Sequence, residues 1–371
     1  VILAKERDFF DIRGATEAYD RLKKLYTLLG KPDNIELFVG PTYHGYSQEN
    51  REAMYQFFNK QTSMPAIQSE PTIVLEKDET LWCTPRGTIS DLGLRTVFSI
   101  TRETSQSLAN PRGTIHGDAL KHAVNDLLKL PAGNQPIPEY RILRGMGNRK
   151  YPAKGSCTYA VETEPGIHAL VTRLFDDQLM SRPPRGQTRA ILYVSHRSAD
   201  VELRDEALIE QLRKSDSDAA FFACDVRGIG DSQPDICGAK TFLDPYGSDY
   251  FLAAHGLMLD KPYLGQRTFD VLRVVDWLVD QGHTEIHLAG KGWGALPAAF
   301  TALLSNDVKQ VTLKNALRSF TELAQSEDYH WPFAALLPGV LKSFDLPDIY
   351  RELQAKRIKN IEPWGEADGA S

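Results

Sequence analysis

The stretch of this sequence best suited to chemistry is a sharp turn between a strand and a helix. The run Glu285 to Ala289 passes through Gly290-Lys291-Gly292-Trp293-Gly294 into the Ala/Leu-rich stretch 295–304. A strand that turns through G-x-G-x-G into a helix is the frame of a nucleophile elbow. Its outer glycines let strand and helix approach closely, and its middle residue sits on the strained turn. In acyl-transfer enzymes built on this turn the middle residue is Ser, whose hydroxyl attacks the carbonyl. Here it is Gly292, so the frame carries no nucleophile. A dinucleotide or phosphate loop is the weaker reading, because no acidic residue stands at the ribose position after a following strand. Lys291 reads as a solvated lysine rather than an anion ligand. Cys83, Cys157, Cys224 and Cys237 form no CxxC, which argues against a zinc ribbon; Cys224 and Cys237 are the nearest pair for a disulfide. Nothing in the sequence asks for a metal or another cofactor.

The elements that position this turn follow from periodicity. Apolar runs at 157–162, 167–174, 189–195, 219–225, 285–289 and 308–313 predict strands. The spacing of Phe269, Leu272, Val275, Leu278 and Val279 predicts an amphipathic helix over 266–279. Strands alternating with helices imply an α/β fold, a mostly parallel sheet with helices on both faces. Residues 1–60 read as strand (1–4), loop, helix (15–29), strand (35–39), a loop bearing His44, and helix (49–60). Residues 65–156 differ, being rich in Pro, Thr, Ser and Gly. Trp82 to Thr88 looks like a turn between short strands, and one clear helix falls at 117–130. The expected organisation is 1–64, a connecting segment 65–156, and 157–371. With 371 residues, the chain exceeds what one core of roughly 250–300 residues accommodates. A net charge of −6 without basic blocks argues against nucleic acid. No apolar run approaches the roughly 18 residues that span a bilayer, which excludes a membrane-crossing helix.

Four stretches together give the chain a resemblance to the α/β-hydrolase superfamily, nearest to the bacterial acetyl-xylan-esterase-like carbohydrate esterases. Asp225-Val226-Arg227-Gly228-Ile229-Gly230-Asp231-Ser232 resembles the D-x-R-G-x-G-x-S loop after the fourth strand. Gly265-Gln266-Arg267-Thr268-Phe269-Asp270 resembles the G-x-R-x-x-D helix before the elbow strand. The elbow frame follows, and Asp8-Phe9-Phe10 and His44-Gly45 resemble the acid and His loops after strands seven and eight. The resemblance covers roughly 1–64 and 157–365. It implies that Asp8, with Asp11 the near alternative, orients and stabilises the imidazole of His44, the general base. It also makes Ser195 and His196, after the third strand, candidates for backbone donors of an oxyanion hole. The side chains of His196 and His255 read as loop residues of structural role. Trp331 and Trp364 could offer sugar-stacking faces, with packing the commoner fate.

The order of these parts departs from the superfamily, which runs nucleophile, acid, His along the chain. Either residues 1–64 are the tail of an upstream hydrolase domain and 157–371 a second, degenerate one, or residues 1–40 supply the last two of eight strands to a permuted sheet. The start at Val1, inside an apolar run and without Met, favours the first. The resemblance then implies part of a serine carboxylic-ester hydrolase that removes acetyl groups from polysaccharide or oligosaccharide. Its Ser would lie outside this chain, which alone would be inactive. A non-catalytic pseudo-hydrolase lobe of structural or carbohydrate-binding role is the alternative. A signal peptide on a longer polypeptide would make the protein secreted or periplasmic.

Overall fold

The structure is a computed structural model and describes residues 1–67, 69–143, 149–176, 186–234 and 249–368. Cys237 lies outside the described residues, and with it the Cys224–Cys237 pairing. The chain divides into two compact units, residues 1–94 and 95–371.

In the first unit, β1 (Ile2–Arg7), α1 (Ile12–Leu28) and β2 (Leu37–Tyr43) form a parallel β–α–β unit, followed by α2 (Gln48–Thr62) and a single turn, α3 (Asp78–Leu81). Helix α1 begins three residues before the expected start. Asp11 accepts the Arg13 backbone N–H as an N-cap, and this outweighs the roughly 1 kcal/mol propensity cost of Gly14 inside the helix. Trp82 to Thr88 is a turn, but among the described residues the flanking segments are helical or irregular rather than short strands.

The second unit is built on one eight-stranded sheet: β3 (Tyr140–Leu143), β4 (Gly155–Glu164), β5 (Ile167–Phe175), β6 (Arg189–Val194), β7 (Ala220–Asp225), β8 (Glu285–Lys291), β9 (Val308–Lys314) and β10 (Lys359–Ile361). Their spatial order is β10-β9-β8-β6-β7-β5-β4-β3. The strands from β10 to β7 run parallel, and β5, β4 and β3 continue as an antiparallel meander. All eight strands come from residues 140–361, while β1 and β2 pair with each other in a separate sheet.

Strands β6 and β7 show why the sheet needs cover on both faces. Ala190, Leu192, Val194, Ala220, Phe222 and Cys224 enter one core, whereas Ile191, Tyr193, Phe221 and Ala223 enter another. This is the two-residue alternation of a strand buried on both sides. The first core is covered by α5 (Gly117–Leu128), α9 (Tyr263–Asp280), α10 (Ala295–Leu304) and α12 (Leu346–Glu352); the second by α6 (Ala199–Asp205) and α7 (Ala207–Ser215). Helix α4 (Val97–Arg112), α8 (Tyr250–Met258) and α11 (Phe320–Gln325) complete the helices used below.

The stretch 65–156 does not stand as a segment of its own. Residues 95–156 fall in the second unit, because Leu120, Val124 and Leu128 of α5 are buried in its main core. His255, expected on a loop, lies within α8. Trp331 is buried and donates its indole N–H to the Gly365 carbonyl at 2.9 Å, so it is core rather than a stacking face.

Candidate functional site

Asp8 and His44 stand just beyond the C-terminal ends of two adjacent parallel strands. Their meeting depends on an irregularity in the pairing. Partners are 35 residues apart as far as Lys5–Gly40 and 36 apart at Arg7–Tyr43. Asp8 and His44 are also 36 apart, so the register shift brings them level. Without it Asp8 would sit opposite Tyr43, with its side chain out of step with the imidazole.

The His44 loop is held from below by a buried lysine. The Lys5 ammonium donates to the Thr42 hydroxyl at 2.8 Å, to the Ser47 hydroxyl and to Glu49 at 3.4 Å, so one cation binds both flanks of the loop. The Glu49 carboxyl is held down at about 2 by its own backbone N–H and by the Ser47 and Thr42 hydroxyls, which keeps it a counter-ion to Lys5.

His44 Nδ1 lies 3.0 and 3.1 Å from the two Asp8 carboxylate oxygens. The Phe10 backbone N–H, 3.0 Å from Oδ1, is the main influence lowering the Asp8 pKa, and His44 adds to it. An ionised carboxylate only accepts, so the neutral imidazole carries its proton on Nδ1 and its lone pair on Nε2. That is the tautomer a general base needs. The Phe9 ring lies 4.5 Å from the imidazole and confines its tilt. Asp11 takes no part: it caps α1 and pairs with the Arg13 guanidinium, which holds its carboxyl at about 2. Of the two carboxylates, only Asp8 is within hydrogen-bond reach of His44 among the described residues.

The elbow in the second unit keeps the backbone of the turn and carries Gly292 at its middle position. Gly292 sits at φ 49°, in the left-handed region that a nucleophile elbow imposes. A Cβ on Gly290 would strike the Gly294 carbonyl and the Ala298 side chain, and one on Gly294 would strike the Val194 and Ser195 carbonyls, as the close-approach reading requires. A Cβ on Gly292 would fall on the His196 imidazole. The space that a side chain at position 292 would occupy is filled by that ring. Trp293 and Trp364 pack against it edge-on, at 4.9 and 5.4 Å.

The donors that would face an oxyanion are engaged as well. The Trp293 N–H, next after the elbow position, donates to His196 Nδ1 at 3.1 Å. The Ser195 N–H donates to the Cys224 carbonyl at 3.1 Å, and the Ser195 hydroxyl to Asp225 at 2.6 Å. The N–H groups of His196, Arg197 and Ser198 all donate to the buried carboxylate of Glu202, at 2.9 to 3.2 Å. The backbone donors expected at Ser195 and His196 are thus spent inside the fold. The His196 side chain has a specific role that its loop position did not disclose.

Lys291 is not a solvated lysine. It and Lys314 both pair with Glu206. Burial acts to raise the Glu206 carboxyl, but the two ammonium groups outweigh it and hold the pKa at about 2. Among the described residues no three His, Cys, Asp or Glu side chains are grouped to hold a metal ion, and no helix is long and apolar enough to cross a membrane.

No protein-family model matches the chain, and no curated protein matches it. Solved structures do. A Bacteroides fragilis NCTC 9343 protein provisionally assigned as an acetyl xylan esterase is similar over 72% of this chain and 75% of its own, with a TM-score of 0.55 and 16% identity. An acetyl xylan esterase from Paenibacillus sp. R4 matches over 59% of each chain with a TM-score of 0.34 and 16% identity. Acetyl xylan esterase 1 from Thermoanaerobacterium sp. JW/SL YS485 matches over 57% of this chain and 62% of its own, with a TM-score of 0.32 and 14% identity. The first of these likenesses, together with the sheet described above, establishes an α/β-hydrolase-type fold.

Proposed function

We propose that this chain is part of a serine-type carboxylic-ester hydrolase acting on acetylated carbohydrate. Asp8 and His44 are its acid and base, and the nucleophilic Ser lies outside these 371 residues. In that reaction His44 Nε2 takes the Ser proton as the hydroxyl oxygen attacks the ester carbonyl, then returns it to the departing sugar oxygen. Asp8 holds Nδ1–H and stabilises the imidazolium formed in between. The observation that carries the reading is the Asp8–His44 pair at 3.0 Å on the ends of neighbouring parallel strands. The acetylated-carbohydrate class is supported by the motifs of the chain and by its likeness in fold to the Bacteroides protein. The reading calls on no metal or other cofactor.

Residues 95–371 are, on the same proposal, a hydrolase-like lobe without hydrolytic chemistry. The observation in favour is the His196 ring in the space beside Gly292. The lobe serves the active one by packing or by extending its hold on substrate.

The test compares this chain with the longest polypeptide of its own reading frame, using release of 4-nitrophenol from 4-nitrophenyl acetate. The 371-residue chain should stay at background, with or without His44→Ala. A polypeptide that includes the nucleophile should turn over, and His44→Ala should lower kcat by roughly 10²–10⁴-fold. Turnover by the 371-residue chain that His44→Ala abolishes would place a nucleophile inside it and end the proposal. So would a hydrolytic longer form indifferent to His44→Ala.

A further inference from the structure

A groove of about 410 Å³ runs in the second unit between α4 and residues 320–342. Its volume lies within the roughly 300–1,000 Å³ range of small-molecule sites. The floor is apolar: Phe320 and Leu323 of α11, with Leu337 and Val340, are buried and belong to the main core. Ile100 and Tyr329 stand at the rim, 49% and 43% exposed, so apolar surface is left open to solvent. Along α4 the lining runs from Ile100 to Leu108, about 12 Å at the helical rise of about 1.5 Å per residue. That length suits a chain rather than a single ring.

Most side-chain donors of the lining are spent on their own helix. The hydroxyls of Thr101, Thr104 and Ser105 donate to the carbonyls of Val97, Ile100 and Arg102, at 3.0, 2.7 and 2.8 Å. No lining residue is acidic. Two side-chain donors of the lining have neither a hydrogen-bond nor an ion-pair partner among the described residues: the Tyr329 hydroxyl and the Lys342 ammonium. Arg112, in the last turn of α4, donates to the Leu341 carbonyl at 3.1 Å and has no carboxylate partner among the described residues either. A second positive charge therefore stands beside the Leu341 wall.

These groups select among ligands. An ammonium would meet two cations and no carboxylate. A polyhydroxylated or peptide-like ligand would bury polar groups against Phe320 and the leucines with too few partners to meet them. A neutral alcohol would fill the groove and gain nothing from the charge of Lys342. A carboxylate gains that ammonium as a charge-assisted partner, while its alkyl chain covers the floor. We propose that this groove binds a free medium-chain alkyl carboxylate. Its chain lies on Phe320, Leu323, Leu337 and Val340, and its head accepts from Lys342 and Tyr329. None of these residues takes part in the reaction proposed for Asp8 and His44, so the site stands or falls by its own titration.

The experiment titrates the 371-residue chain with octanoate, hexanoate, octanol and octylammonium, all below the concentrations at which they aggregate, followed by ligand-observed saturation-transfer NMR. Octanoate should bind saturably and about fivefold or more tighter than octanol, the size expected of one exposed ion pair with a hydrogen bond beside it. Octylammonium should bind more weakly than either. Hexanoate, two methylenes shorter, should bind roughly tenfold more weakly than octanoate. Lys342→Gln, at an exposed position, should bring octanoate to about the affinity of octanol and leave octanol unchanged. Thr104→Trp, also at an exposed position, should fill the groove and weaken every ligand, with the fold intact by circular dichroism. If that variant does not fold, Lys342→Gln decides alone. Absence of saturable octanoate binding, equal or tighter binding of octanol, octylammonium or hexanoate, or unchanged octanoate affinity in Lys342→Gln or in folded Thr104→Trp would each overturn the proposal. So would a concentration-dependent dimer in sedimentation that Thr104→Trp abolishes and octanoate does not reverse, which would give the groove to a second copy of the chain.

Discussion

Gly292→Ser is the substitution that would seem to restore a nucleophile, and the geometry predicts that it damages the fold instead. A residue with a Cβ at φ 49° costs about 1–2 kcal/mol in the left-handed region. The new side chain also falls on the His196 imidazole, so the ring must leave. When it does, the bond from the Trp293 N–H to His196 Nδ1 is lost, and a buried donor without a partner costs about 1–3 kcal/mol. Together these predict a loss of about 2–5 kcal/mol in urea unfolding of Gly292→Ser. The cycle with His196→Ala separates the contributions. With the ring already gone, adding Ser at 292 should cost only the backbone part, about 1–2 kcal/mol. A penalty for Gly292→Ser that is equal with and without His196 would refute the overlap argument, and so would a neutral single substitution.

The two histidines should show opposite neutral tautomers. His44 donates from Nδ1 to Asp8, whereas His196 accepts at Nδ1 from Trp293 and so carries its proton on Nε2. Two-bond ¹⁵N–¹H correlation spectra read this directly, and the same tautomer at both sites would contradict one of the two hydrogen-bond assignments. Asp225 gives a pH prediction. Burial, partly opposed by Ser195 and the Ala199 and Asp231 amides, raises its carboxyl from 3.8 to about 6. Between these values the folded state binds more protons than the unfolded, so this group's contribution to stability falls as pH rises from about 4 to about 6, by about 3 kcal/mol in all. Unfolding at pH 4.5 and 7 should therefore show the wild type losing stability relative to Asp225→Asn on going to pH 7; a pH-independent difference between them would argue against the raised pKa. Glu202→Ala removes the acceptor of three backbone N–H groups and of the Tyr193 hydroxyl, and should cost about 3 kcal/mol or more. Tyr193→Phe, which removes one of those donors, should cost clearly less, and equal losses would mean that the carboxylate does not organise the loop.

The frame of the fold was legible because it is written in periodicity. The helix over 266–279 and the strands at 189–195, 219–225 and 285–289 form within a few residues of their expected places. Their apolar positions are spaced by the sheet and core they must fill. What escaped lacks such a pattern. Strand β10 has three residues, and α8 reads YFLAAHGLM, apolar nearly all round, with no face to mark a helix. Helix α4 ends in a turn that contains Pro111, which reads as a breaker. Asp8 and Asp11 could not be ranked from spacing alone, although an Asp directly ahead of a helix is itself an N-cap signal and would have singled out Asp11. The part His196 plays was out of reach, because it depends on which way a loop side chain turns.

Gly292 at the elbow is tied to its surroundings. The elbow still holds Gly292 at φ 49°, a backbone that in the hydrolase fold serves to present a side chain. With no side chain there, the turn would leave a void and an unpaired Trp293 N–H, each of them destabilising. One ring answers both: the His196 imidazole fills the volume and accepts from Trp293. Glu202 then satisfies the three N–H groups of the loop that carries the ring. The elbow frame is a packed core element whose parts depend on one another. The pair that retains the geometry of an acid and a base, Asp8 and His44, belongs to residues 1–94, so the chemistry proposed for this protein and its closed elbow belong to different units of the chain.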